Sequence, residues 1–305
     1  MKLKIFILQF SFLCLFCCTA FCAATDKPTV FVSIVPQKFF VQQISKDRVN
    51  VEVMVQPGAS PATYEPKPSQ MAKLSSSEAY FAIGVPFEKA WLGKISAVSP
   101  EMEIVKTEMG ITKIAMAVHH HHEEIKGERQ HEEAGHQAER PEHTILDPHI
   151  WLSPVLVKKQ AAVILEGLTS IVPEYAADFE KNYRVFLEKI NALHLELLST
   201  LQDSKGLRFM VFHPTWGYFA KEYGLEQVPI EIEGKSPKPA QLVGLIHHAR
   251  KNDIRIIFVQ PQFSQKSAKV VAKEINGKVI FADPLAEDWF ANLRDVAGKF
   301  KLAVK

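Results

Sequence analysis

Histidine and glutamate are concentrated in one segment of this chain. Seven of the 12 histidines lie between residues 119 and 143, together with seven glutamates. Imidazole and carboxylate are ligands that zinc and its neighbours prefer, so the segment indicates contact with a metal. It has no regular ligand spacing and is too polar to pack, so it need not be the principal site. The seven histidines are His119, His120, His121, His122, His131, His136 and His143.

Two interpretations of this His-rich loop stay open. The first is a solvated surface loop, because a segment this polar cannot bury enough apolar area to fold. The second is a low-affinity antenna that raises the local concentration of a metal ion such as zinc near a separate binding site, or a sensor of excess metal. An engineered tag is disfavoured, because the histidines are internal and interleaved with glutamates.

The first 24 residues predict a secretory signal peptide. Lys2 and Lys4 precede an apolar run over residues 5–16, and small residues close the segment at 22–24. The run is short for a membrane span, which needs about 20 residues. A lipid-anchored form is the alternative, since residues 15–18 vaguely resemble a lipobox. We therefore expect an exported, periplasmic protein with no stable membrane span after cleavage.

The positions of the cysteines and the balance of charges limit the metal ligands and the partners that the mature chain can have. All four cysteines lie inside the predicted signal, so any metal site must use His, Asp, Glu and water. Removing Lys2 and Lys4 leaves 34 of the 36 basic residues against 34 acidic ones, and this balance disfavours a nucleic-acid partner.

The elements that must position these ligands alternate between strands and helices. Strands are predicted over 30–35, 49–55 and 79–83, with a helix over 68–76. One amphipathic helix of roughly 30 residues, near 45 Å long, is predicted over 173–202 and would join two lobes. The predicted domains are an N-terminal lobe over 25–172, the linking helix over 173–203 and a C-terminal lobe over 204–305.

The last hundred residues predict four strands separated by helices. The strands are expected over 208–212, 228–232, 254–259 and 278–281, and such a series implies a parallel sheet. Ligands collect at the carboxyl ends of parallel strands. His213 and Asp283 follow two of these strands, and Glu231 or Glu233 and Gln260 lie at the ends of the other two. The fold class is therefore α/β, with two lobes of mainly parallel sheet flanked by helices and one long rigid helix between them.

Three residues are candidate metal ligands. His149 precedes a predicted helix, His213 follows a strand between aromatic neighbours, and Asp283 is followed by a proline. Taken singly, each fits a cap, a buried core histidine or a turn. Their shared placement at loop ends near the sheet edges favours a common site.

Several motifs resemble those of the metal-binding components of ABC importers for zinc and manganese, the ZnuA/TroA type, over essentially the whole mature chain. The resemblance implies two lobes bridged by a rigid helix, with metal in the cleft between them. The matching segments are 57–66, 84–88, 147–154, 212–219, 260–264 and 283–285, and the His-rich loop is similar to that of the zinc-specific branch.

By position, the resemblance makes His149, His213 and Asp283 the metal ligands. One departure is that Ala62 stands where the family usually has a histidine. Water or another side chain must then complete the coordination, and Glu65, Glu231 and the seven loop histidines are the auxiliary candidates.

The function expected from the resemblance is capture of Zn²⁺ and its delivery to an ABC permease, by a monomer that is not an enzyme. Two histidines and an aspartate also suit Mn²⁺ or Fe²⁺ if oxygens fill the remaining positions. A zinc hydrolase is the least favoured alternative, because no base-bearing motif accompanies the ligands. A surface adhesin on the same scaffold is the other alternative.

Overall fold

Two four-stranded parallel sheets form the framework of the protein. The computed structural model describes residues 27–117, 145–232 and 234–303, so the predicted signal peptide and the His-rich loop lie outside the described residues. The first sheet has the order β2-β1-β3-β4 and the second the order β6-β5-β7-β8. Their strands are β1 (Thr29–Val32), β2 (Asn50–Val53), β3 (Ala79–Ala82), β4 (Glu103–Lys106), β5 (Arg208–Val211), β6 (Glu226–Pro229), β7 (Ile256–Val259) and β8 (Lys278–Phe281).

Most of the helices that flank these sheets have a proline in their first turn. Proline is suited to this position, because it lacks the amide hydrogen that a helix start leaves unpaired. The helices are α1 (Val35–Ser45), α2 (Pro68–Leu74), α3 (Pro86–Val98), α4 (Pro154–Ile171), α5 (Ala176–Leu201), α6 (Gly217–Tyr223), α7 (Pro239–Lys251), α8 (Lys266–Glu274) and α9 (Trp289–Ala303).

Helix α5 is the predicted linking helix. It has 26 residues and is about 39 Å long, shorter than expected because separate 3₁₀ turns flank it at Pro173–Tyr175 and Gln202–Ser204. Its apolar stripe is buried along the whole length. The buried members are Phe179, Phe186, Ile190, Leu193, Leu197 and Leu201.

The two sheets share one continuous hydrophobic core, which passes through α5 and α9. Helix α9 comes from the end of the chain yet packs on the first lobe, where Trp289 meets Phe40 with ring centroids 5.3 Å apart. The indole nitrogen of Trp289 donates to the carbonyl of Trp151 at 2.7 Å. Opening the lobes widely would expose these aromatic side chains, so the packing favours a nearly fixed lobe arrangement.

In the second sheet, one polar residue follows the carboxyl end of each strand, as the sequence predicts. His213 follows β5, Glu231 follows β6, Gln260 follows β7 and Asp283 follows β8, each within two residues of the strand end. Within the described residues, no helix is both long and apolar enough to cross a membrane.

Candidate metal site

His149 lies in a short loop that its own neighbour Asp147 shapes. One carboxylate oxygen of Asp147 accepts from the backbone amide of His149 at 2.9 Å and lies 2.6 Å from Nδ1 of its ring. Asp147 is fully buried and His149 is 6% exposed. The 3₁₀ turn Ile150–Leu152 and the cap residue Ser153 follow, so the loop is anchored on both sides of the imidazole.

His213, on the other lobe, also has a buried carboxylate beside its ring. Its Nδ1 lies 2.6 Å from Oε1 of Glu231, a carboxylate that is 6% exposed. Gln260 holds the backbone of this residue, since its amide nitrogen donates to the carbonyl of His213 at 2.6 Å.

Each imidazole therefore has one nitrogen paired with a buried carboxylate. An Nδ1 that donates to a carboxylate leaves Nε2 with its lone pair, the form in which histidine binds a metal. The centroids of the two rings are 5.3 Å apart. Burial lowers the pKa of His149 below its usual value, although the charge of Asp147 opposes the shift, so the neutral, metal-binding form is favoured.

Both imidazoles line a cleft between the lobes. The cleft contains a cavity of about 50 Å³, enough for an ion with a few waters. The first lobe contributes the loop after β2 and the start of α3, and the second contributes the loops after β5, β7 and β8. The lining includes Ser60, Pro61, Ala62, Val85, Pro86, Met116, His149, His213, Thr215, Gln262, Phe263 and Leu285.

Asp283 lies at the edge of this cleft, beside the lining residues Pro284 and Gln262. One of its carboxylate oxygens accepts from the amide of Gln262 at 3.0 Å and from the backbone amide of Leu285 at 2.9 Å. Within the described residues, no three His, Cys, Asp or Glu side chains are arranged to hold an ion together. The structure brings His149 and His213 together, and the role of Asp283 as a third ligand stays a prediction.

The residues predicted as auxiliary metal ligands differ in how near they lie to the cleft. Ala62 lines the same cleft as His149 and His213, so the position that departs from the resembled family lies in the wall of this cleft. Glu231 contacts Nδ1 of His213 rather than lining the cleft. Glu65 is exposed and is not among the residues that line the cleft. The loop histidines from His119 to His143 lie outside the described residues.

Two residues of the site are missing from the sequence-based prediction. Asp147 lies within the segment 147–154 but is not among the predicted ligands, although an aspartate side chain often accepts from the backbone amide two residues later. The sequence does not indicate that Gln262 contacts Asp283, because the two residues are distant in sequence and become neighbours only through the strand order of the second sheet.

Comparisons with known proteins identify the family of this chain. The family described as zinc-uptake complex component A, periplasmic, matches residues 30–303. A solved structure described as the crystal structure of ZnuA is 40% identical, has a TM-score of 0.81, and is matched over 92% of this chain and 100% of that one.

Two curated relatives are more distant. The zinc-binding protein AdcA of Streptococcus pyogenes serotype M3 is 29% identical over 90% of this chain and 58% of its own length. The high-affinity zinc uptake system protein ZnuA of Bacillus subtilis is 28% identical over 83% of this chain and 77% of its own. This chain thus spans little more than half the length of the AdcA relative.

Proposed function

Because the chain belongs to the family of periplasmic A components of zinc-uptake complexes, we propose that it captures Zn²⁺ in the interlobe cleft and delivers it to an ABC permease for uptake. Zinc is the cargo in this proposal, and no chemical step is performed on it. The binding residues are the imidazoles of His149 and His213, with Asp283 as the third ligand.

The observation that carries the proposal is the pair of carboxylate-supported imidazoles. A buried carboxylate on Nδ1 fixes the ring, sets its tautomer and makes Nε2 a better donor to the metal. Two such units, one from each lobe, have their rings 5.3 Å apart and line one cleft. A structural role alone would not require both lobes to place a supported imidazole at the same opening.

Asp283 completes the set from the edge of the cleft. One of its oxygens is held by Gln262 and Leu285, which leaves the other oxygen for the ion. Ala62 leaves the fourth position to water or to a histidine of the His-rich loop, because a methyl group has no lone pair. An open position suits a protein that must release its cargo.

Zinc is favoured over manganese because imidazole supplies two of the three ligands, and over iron because the family is named for zinc uptake. Three protein ligands with an open position are also the pattern of catalytic zinc. The family is named for zinc uptake, which favours binding and transfer over hydrolysis. The alternative of an adhesin has no observation in its favour here.

The chain is exported by its N-terminal signal and acts outside the cytoplasm, either free in the periplasm or lipid-anchored. It acts as a monomer that meets the permease with the metal bound. The His-rich loop supplies zinc to the cleft from a local pool.

The test is the zinc stoichiometry of the mature chain with His213→Ala. We expect loss of the tight site, measured by titration against a chromophoric chelator. His247→Ala is the matched control, since His247 is an exposed histidine of the same lobe. Retained tight binding in His213→Ala would refute the cleft assignment.

A further inference from the structure

Helix α6 belongs to the second lobe but contacts the loop of the first lobe that carries His149. It begins four residues after His213, so the second imidazole and this helix form one unit. The short turn between them is fixed by Gln260, whose amide nitrogen lies 2.6 Å from the carbonyl of His213 and 3.0 Å from the hydroxyl of Thr215.

Tyr218 makes the first contact across the lobes. Its hydroxyl donates to the carbonyl of Asp147 at 2.9 Å and accepts from the backbone amide of Ile114 at 3.2 Å. The residue is 6% exposed. A buried hydroxyl that both donates and accepts has little freedom to reorient, so it fixes the start of the His149 loop against α6.

Glu222 makes the second contact, one turn further along α6. Its carboxylate accepts a hydrogen bond from the hydroxyl of Ser153, the residue that caps α4 by accepting from the amide of Leu156 at 3.2 Å. The other oxygen of Glu222 lies 2.9 Å from Nδ1 of His194 on α5. Glu222 thus joins the end of the His149 loop to both the second lobe and the linking helix.

Gly217 makes the third contact by close approach. A methyl group at this position would lie 2.5 Å from the second carboxylate oxygen of Asp147, too near for any real contact. The helix backbone therefore packs directly on the carboxylate that supports His149. Residues with a side chain would push this carboxylate away from its imidazole.

We infer that α6 is an interlobe clamp in which Tyr218 and Glu222 are positioning residues that set the separation of the His149 and His213 rings. The inference rests on the proposed cleft site and adds residues that touch no metal. Because the loop is tied at Asp147 and at Ser153, the imidazole between these points has little freedom relative to α6. The clamp preorganises the pair, so that binding does not have to order it.

The test uses Tyr218→Phe, Glu222→Gln and the double variant in the full mature chain. Titration with Zn²⁺ should keep the wild-type stoichiometry, while affinity falls on the order of tenfold per substitution, as for other groups that orient metal ligands. With Co²⁺ as a spectroscopic probe, the visible ligand-field bands should shift or broaden. Tyr183→Phe on α5 and Glu196→Gln, an exposed residue of the same helix, are matched controls.

A second measurement reports the lobe arrangement directly. The mature chain has no native cysteine if the predicted signal is removed, so Lys89→Cys and Lys269→Cys, both exposed and on opposite lobes, can carry spin labels. The double clamp variant should widen the distance distribution between the labels. Gly217→Ala should weaken zinc binding as well, by displacing Asp147, even if the hydrogen-bond variants unfold.

The two hypotheses fail in different ways. If the cleft proposal is wrong, His213→Ala binds zinc as the wild type does. If only the clamp is wrong, His213→Ala loses the site, but the folded clamp variants keep the wild-type affinity, Co²⁺ spectrum and label distances. That second outcome would overturn the inference.

Discussion

Glu88 is a buried carboxylate whose ionisation should make the stability of this protein depend on pH. It is 2% exposed and lies at the start of α3. Its two oxygens accept from the backbone amides of Ile83 at 3.0 Å and Gly84 at 2.8 Å, and from the hydroxyl of Ser33. Burial raises the pKa of Glu88 from 4.5 to about 7, against the opposing effect of these hydrogen bonds.

The sign and size of the effect follow from these two pKa values. The folded chain keeps the proton of Glu88 to a higher pH than the unfolded chain does. Between about pH 4.5 and 7 the folded state therefore binds more protons, so this contribution to stability is present in acid and is lost as the pH rises through 7. A shift from 4.5 to about 7 corresponds to about 3 kcal/mol.

The perturbation is Glu88→Gln, which keeps the shape of the side chain and cannot ionise. The difference in unfolding free energy, wild type minus variant, should decrease by about 2.5 kcal/mol from pH 5 to pH 8. Urea unfolding with a chelator present measures it without a contribution from bound metal. Glu78→Gln, at an exposed glutamate of the same lobe, is the control. Parallel pH profiles for wild type and Glu88→Gln would refute the reasoning.

Three further predictions concern the cleft. Asp147→Asn should weaken zinc binding about 10- to 100-fold, because His149 loses the carboxylate that holds its ring. Asp253→Asn, at an exposed aspartate, is the control. Equal zinc affinities of wild type and Asp147→Asn would contradict the role given to Asp147. Ala62→His should tighten binding on the order of tenfold, about 1.4 kcal/mol, with Ala62→Ser as control; unchanged affinity would place residue 62 outside the coordination sphere. Deleting residues 119–143 should lower the total zinc stoichiometry but keep the cleft site, and an unchanged stoichiometry would contradict the antenna role.

The alternation of apolar strands and amphipathic helices made most of the fold predictable. Strand β8 lies at the predicted residues 278–281, and the stripe of α5 is buried from Phe179 to Leu201. Strand β6 is displaced, since 228–232 was expected and Glu226–Pro229 is observed. The apolar pattern marks buried residues, whereas the strand is defined by hydrogen bonds that begin at the polar residue Glu226, opposite Arg208.

The sequence motifs predicted the two imidazoles that line the cleft but not the residues that hold these imidazoles in place. His149 and His213 were identified from motifs, and the structure places them at one cleft. The contacts of Tyr218 and Glu222 link residues about 70 positions apart, and only the packing of the two lobes brings them together. No local pattern in a single sequence contains that information.

Anomalous diffraction at the zinc absorption edge, on crystals of the mature chain with one equivalent of Zn²⁺, tests the central claim most directly. We predict one strong peak in the cleft, about 2.0–2.1 Å from Nε2 of both His149 and His213. The nature of the remaining ligands would be visible in the same map. A zinc peak bound only at other histidines, with the cleft imidazoles uncoordinated, would contradict the account.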